Sequence, residues 1–235
     1  MLIATPDPTP LVNEINLMLE TLSFSGARVL ELGCGRAEKT RALARNGGVE
    51  KIVALEVDAV QHAKNQLITD LPNVVFTHGG AEAIPAETES FDIVLMFKSL
   101  HHVPVAQMDA ALAEIARVLK PGGLAWISEP VYAGELNEVF RLFHDEKTVR
   151  EEAFAAICRA VDNGPLRLQQ QLFFNTRSFF ESFEEFDTRM IQVTHTNHNL
   201  SPELHETVRQ KFISYMSPEG ATFMAPQRVD LLVKR

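Results

Sequence analysis

The chain has 235 residues, 46% hydrophobic and 23% charged, a composition that suits one sizeable folded core and excludes a disordered chain. Its net charge of -9 disfavours a phosphate backbone as partner, and no run of Lys and Arg offsets that average. The two cysteines, Cys34 and Cys158, give neither a disulfide framework nor a zinc-ligand spacing and read as free thiols in a reducing cytoplasm.

Met1 to Pro10 carries three prolines and lacks the basic start and apolar run of a signal peptide. No stretch reaches the roughly 18 apolar residues of a membrane span, so the expectation is a soluble cytoplasmic protein with no membrane contact. Leu11 to Leu22 has apolar residues at helical spacing. Arg28 to Leu32 is a β-type run stopped by Gly33, and Glu38 to Arg45 is a helix ended by Asn46-Gly47-Gly48. Lys51 to Val57 is a second buried strand, Val60 to Leu71 a helix closed by Pro72, and Val74 to Thr77 a third strand. Phe91 to Phe97 is a fourth strand, Val105 to Leu119 a helix, Lys120-Pro121-Gly122-Gly123 a turn, and Leu124 to Ser128 a fifth strand. These strands are near-continuous apolar runs, as in a parallel sheet covered by helices on both faces.

Beyond them the pattern changes. Gly134 to Asn163 reads as a long helical stretch, Thr176 to Phe183 as another helix, and Phe186 to His195 as an alternating strand. Ser201-Pro202-Glu203 starts a helix that runs to about Met216, and Arg228 to Val233 is a closing strand. No linker or repeat divides the chain, so a single domain over 1–235 is expected. Its parts are an N-terminal helix or lid (1–25), a core (27–130), a helical covering segment (133–185) and a closing region (186–235).

In an open parallel sheet, ligands bind beyond the carboxyl ends of the strands. Gly33 and Gly35 follow the first strand and allow a tight turn against which a ligand can lie. Glu56, with Val57 beside it, ends the second strand about 20 residues on, where a carboxylate can accept from two ribose hydroxyls. A dinucleotide site would want a third glycine where Glu38 stands, and that carboxylate would repel a pyrophosphate. An adenosine cofactor without phosphates fits better, and S-adenosylmethionine (SAM) is one.

VLELGCGRAEKT, IVALEVD, GGAEAIPAETESFDIVLMFKSLHHV and ALAEIARVLKPGGLAWISEP together resemble the motifs of the class I SAM-dependent methyltransferases, especially the small-molecule branch typified by the Methyltransf_11 domain. The resemblance covers about residues 27 to 130. It implies a Rossmann-like α/β fold with a seven-stranded, mostly parallel sheet and helices on both faces. It implies that Glu31 helps hold the methionine end, that Gly33 and Gly35 lie under the cofactor and that Glu56 takes the ribose. Gly80, Ala81 and Glu82 would flank the adenine, and the Phe97 carbonyl would meet the cofactor's amino group. Two positions depart from the pattern: Ala37 replaces a third glycine, and Gly80 replaces an aspartate that bonds the adenine amino group. The NPPY motif of amino-group methyltransferases is absent, because Phe97-Lys98-Ser99-Leu100 stands there.

His102 and then His101 are the candidates for substrate contact or proton removal; a helix-start histidine with a structural hydrogen bond is the alternative. Lys98, Glu129 and Tyr132 are candidates for substrate binding. His195-x-x-His198 and His144-Asp145-Glu146 lack a complete ligand set, the second reading as a solvated helix face, and no metal is expected. The function expected is methyl transfer from SAM to an O, N or C atom of a small molecule. A non-methylating SAM-using transferase and a binding protein that kept the fold are the rivals, with a dehydrogenase more distant.

Overall fold

The computed structural model describes residues 1–193 and 198–235. The apolar runs become parallel strands: β1 (Arg28–Leu32), β2 (Lys51–Glu56), β3 (Val74–His78), β4 (Phe91–Phe97) and β5 (Leu119–Pro130). Successive side chains leave a strand on opposite faces, so these runs feed two cores. Leu30, Leu32, Val94, Met96 and Ile127 enter one; Val29, Ile52, Leu95 and Trp126 enter the other.

Helices cover both faces. α1 (Glu14–Thr21) and α2 (Glu38–Asn46) bring Met18 and Leu43 to the second core. α3 (Ala59–Asn65) follows β2, and its N-cap Asp58 accepts from the amides of Val60 and Gln61. α4 (Met108–Val118) lays Ala111, Leu112 and Ile115 on the first core. Each fully buried Leu, Ile or Met side chain contributes about 1.5–3 kcal/mol.

The later elements are α5 (Glu135–Phe140), α6 (Lys147–Asp162), β6 (Leu166–Phe180), α7 (Phe183–Phe186), α8 (Pro202–Ile213), β7 (Met216–Ser217) and β8 (Gly220–Lys234). The sheet has eight strands in the order β3-β2-β1-β4-β5-β8-β6, with β7 paired to β8. The strand beyond the seven expected is the two-residue β7, which folds back on β8. β8 runs antiparallel to both its neighbours. Strand order reverses between β1 and β4, which opens a crevice at their carboxyl ends.

Three expectations are corrected. Lys120 to Gly123 lies inside β5 as a bulge: Phe91 pairs with Leu119 and Ile93 with Leu124. Thr176 to Phe180 continues β6 as a strand, because its ladder with β8 holds from Asn175 to Phe180. Phe186 to Ile191 is not a strand but the end of α7 and a π-type turn (Asp187–Ile191), since Ser182 caps the Glu185 amide and starts a helix. His195 lies outside the described residues. The helical stretch expected from Gly134 to Asn163 is formed by two helices, α5 and α6.

The Phe-rich segment builds a third core of its own. Val139, Phe180, Phe183, Phe186, Phe212 and Phe223 pack together beyond the sheet, with ring centroids such as Phe186–Phe212 at 4.9 Å. Among the described residues no helix is long and apolar enough to cross a membrane.

Candidate active site

The turn after β1 is shaped by backbone in the left-handed region: Gly33 has φ +70°, Gly35 +51° and Ala37 +60°. A Cβ on Gly33 would stand 2.6 Å from the Ser99 hydroxyl, so glycine lets the loops after β1 and β4 approach each other. Gly35 faces open space. Ala37 and Lys98 hold left-handed conformations without being glycine, which costs roughly 1–2 kcal/mol each. Such strain collects where a site needs a fixed backbone.

Glu56 is buried, and its two oxygens are aimed by backbone. Oε2 accepts from the Gly35 amide and Oε1 from the Asp58 amide, each at 2.8 Å. A carboxylate has about four lone-pair sites, so both oxygens keep capacity for a ligand. Asn65 ties down the same turn through the Gly35 carbonyl at 2.7 Å. Val57 is exposed beside it.

Glu31 is also buried and accepts from the Thr40 hydroxyl at 2.6 Å. Burial pushes its carboxyl up to about 7, and the Glu56 charge adds to this against the opposing effects of Thr40 and Lys39. Burial likewise pushes the Cys34 thiol up, so it is not a reactive thiolate. Glu38 is exposed in the first turn of α2, at that helix N-terminus.

Gly80 and Ala81 follow β3. A Cβ at Gly80 would lie 2.4 Å from both carboxylate oxygens of Glu82. The Glu82 side chain therefore folds back into the space that a longer residue 80 would fill. Phe97 ends β4, and its carbonyl already accepts from the Ser99 hydroxyl at 2.8 Å.

Lys98, next in the chain, anchors its amide to the Ser128 carbonyl at 2.7 Å. Its side chain lies against the cavity wall, near Lys39, Glu14 and Glu129. Desolvation there, with Lys39 nearby, pushes its pKa down against the pull of Glu14 and Glu129.

Lys98 also marks the wall of a cavity of about 430 Å³ between the ends of β4, β5 and β6, the middle of β8 and helices α5 and α6. His101 and His102 follow in a single 3₁₀ turn, Leu100–His102. His101 is buried and its Nδ1 meets Glu129 Oε2 at 2.5 Å, while Glu129 Oε1 accepts from the Leu100 amide at 2.9 Å. Glu129 thus orients His101 rather than facing the cavity. His102 is exposed on the cavity wall, its ring 4.1 Å from that of His101. Tyr132 is not on that wall; it lies beside Asp145 and Arg141.

Several residues escaped the sequence reading. Glu146 is buried, not part of a solvated face: its Oε1 lies 3.6 Å from His101 Nε2 and 3.1 Å from His144 Nε2, and its Oε2 takes Arg150 at 2.5 Å. Burial opposes its charge, but His101 and Arg150 hold its carboxyl below the ordinary value. Glu14 of α1 reaches the crevice from the other side, bonded to Lys39 at 2.6 Å, with the Lys39 ammonium 4.1 Å from the Phe97 ring centre. Burial of Glu14 is a signal that only tertiary contact creates; the sequence shows an ordinary first-turn glutamate.

Residues 29–123 match a family model, Methyltransf_25, described as a methyltransferase domain. A phthiotriol/phenolphthiotriol dimycocerosates methyltransferase of Mycobacterium ulcerans is 36% identical over 102 residues, 43% of this chain and 37% of that protein. The chain spans about half or less of the length of the curated relatives it matches. The YcgJ protein of Bacillus subtilis shares the fold with a TM-score of 0.61 at 17% identity, covering 94% of this chain and 97% of that one. The [4+2]-cyclase SpnF shares it with a TM-score of 0.57 at 20% identity, covering 94% and 79%. With its glycine turn, buried strand-end carboxylates and switch-point crevice in sequence order, residues 29–123 carry a methyltransferase domain.

Proposed function

We propose that the protein transfers a methyl group from SAM to an O, N or C atom of a small molecule held in the cavity beside Lys98. The observation that carries this reading is Glu56, fixed by two backbone amides at the edge of the glycine turn, with the cavity opening two strands away, at the end of β4. SAM supplies a methyl group on a positive sulfonium.

The residues present fit that group. Glu56 offers remaining lone pairs to two ribose hydroxyls. The open space over Gly35 is one that a Cβ would fill. Glu31 and Glu14 present carboxylates to an amino-acid end. Glu14 Oε1 and the neighbouring Ser128 hydroxyl are buried with no hydrogen bond of ordinary geometry between them or to another described residue. Gly80, Ala81 and Glu82 border the adenine, and the Phe97 carbonyl keeps one lone pair. Alignment and exclusion of water do much of the work of such a transfer, and α1 with Glu14 and Lys39 covers the crevice from one side.

A cavity of this size holds a small molecule. Although the chain is acidic, Lys98, Arg150, Arg189 and several histidines line this wall. The acceptor preferred is one with an acidic group placed against Lys98, with its reacting atom toward His101 and His102. Calorimetric titration with SAM and with S-adenosylhomocysteine is the first test. Micromolar binding of both is expected, followed by methylated product from a panel of carboxylated acceptors. Failure to bind either overturns the reading and favours a protein that kept the fold alone.

The Glu82 position gives a separate test. Its carboxylate occupies the place left by Gly80 and takes over the adenine amino group. Glu82→Ala should weaken SAM binding by roughly 10- to 100-fold, the worth of one hydrogen bond to a charged group. Adding Gly80→Asp to that variant should restore much of the loss, since residue 80 does not need a positive φ. Unchanged affinity in Glu82→Ala would remove Glu82 from the adenine site.

A further inference from the structure

We infer that the cavity wall carries a binding site for one divalent transition-metal ion, formed by His101, His102 and Glu146. One donor atom from each of the three lies within 4.8 Å of the others. His101 Nε2 and Glu146 Oε1 are 3.6 Å apart, and His144 Nε2 is 3.1 Å from the same oxygen. Ligands about 2.0–2.1 Å from a tetrahedral ion stand roughly 3.3 Å from each other, so these spacings match an ion seated between the groups. His144 stands outside that set of three and contacts it through Glu146.

Orientation supports the same conclusion. Glu129 holds His101 through Nδ1, which turns Nε2 to the cavity; ligating histidines are fixed by a carboxylate in this way. Arg150 holds Glu146 through Oε2, which leaves Oε1 toward the imidazoles. The Arg150 charge opposes a cation, and the two carboxylates Glu129 and Glu146 offset it. A set rich in imidazole suits zinc, cobalt, iron or nickel and not magnesium or calcium, which prefer oxygen.

The role of the ion rests on reading the cavity as the acceptor pocket. There it would hold an acceptor oxygen and favour its anionic form. Binding itself does not depend on that reading.

The test uses the chelator-treated full chain titrated with Co²⁺, followed by its visible absorption, and with Zn²⁺ by calorimetry. One equivalent of Co²⁺ with a ligand-field band is expected. Affinity should fall at least tenfold in His102→Ala and in Glu146→Gln, and by about 10- to 100-fold in Glu129→Gln, which acts through His101. His102 is exposed, so its removal leaves the fold intact and keeps the test sound if the buried variants unfold. Absence of the band, or a band that His102→Ala leaves unchanged, overturns the site and leaves His101 as an imidazole paired between two carboxylates. Cobalt binding in a protein that ignores SAM keeps the metal site and removes the methyl-transfer reading; SAM binding without cobalt does the reverse.

Discussion

Glu56→Ala should lose about a hundredfold or more in affinity for SAM and for S-adenosylhomocysteine alike. Each ribose hydroxyl donated to a carboxylate is worth about 1.5–3 kcal/mol, and two are lost together. The variant also strips the Gly35 and Asp58 amides of their acceptor, so the glycine turn loses its brace. Glu56→Gln separates the two effects. It keeps one oxygen for the turn or the ribose, and its affinity should fall between the parent and the alanine variant. Calorimetry measures the binding, and a thermal melt without ligand measures the brace. Binding within threefold of the parent in Glu56→Ala would place the ribose elsewhere.

Glu31 makes the protein respond to pH. Its carboxyl is raised by burial from 4.5 to about 7 in the folded chain. A raised value means that the folded state holds the proton more tightly than the unfolded chain. The associated stability is fully present below pH 4.5 and is lost as pH rises through 7. The full difference is about 3 kcal/mol. Glu31→Gln carries no such charge, so at pH 8 it should melt above the parent, and at pH 4.5 the two should converge. Binding follows the opposite trend. A cationic amino-acid end beside Glu31 favours the ionised carboxylate, so SAM should bind more tightly as pH rises from 6 to 8 and should release a proton. Glu31→Gln flattens that dependence. Parallel pH curves for the parent and Glu31→Gln would refute the assignment.

The parallel half of the fold is legible because its strands are buried on both sides, which writes them as unbroken apolar runs. Glu31, Gly33, Gly35 and Glu56 were legible for a related reason: they sit at strand ends, where local order alone puts them at one crevice. Glu82 was legible as a candidate for the adenine side, but the fold of its side chain into the space at Gly80 needed coordinates. The later third was misread where two periodicities compete. Thr176 to Phe180 has an alternating inside and outside pattern that a helix reading overlooked, and the Ser182-x-x-Glu185 start signal was masked by the apolar alternation after it. Glu146 and His144 were beyond reach, since their meeting with His101 joins segments more than 40 residues apart that nothing local connects.

The third aromatic core has a consequence for redesign. Phe180, Phe186, Phe212 and Phe223 stabilise one another at the far ends of β6 and β8, away from the two cores that hold β1 and β2. Phe180 and nearby Met190 also form cavity wall. Repacking there reshapes the cavity while Glu31 and Glu56 stay in place. The similarity to the methyltransferase domain stops at residue 123, before this region begins. The molecule thus has two parts held by different cores, the strand ends that carry Glu31 and Glu56 and the aromatic ends of β6 and β8. A library confined to the second part would explore new acceptors without sacrificing the cofactor.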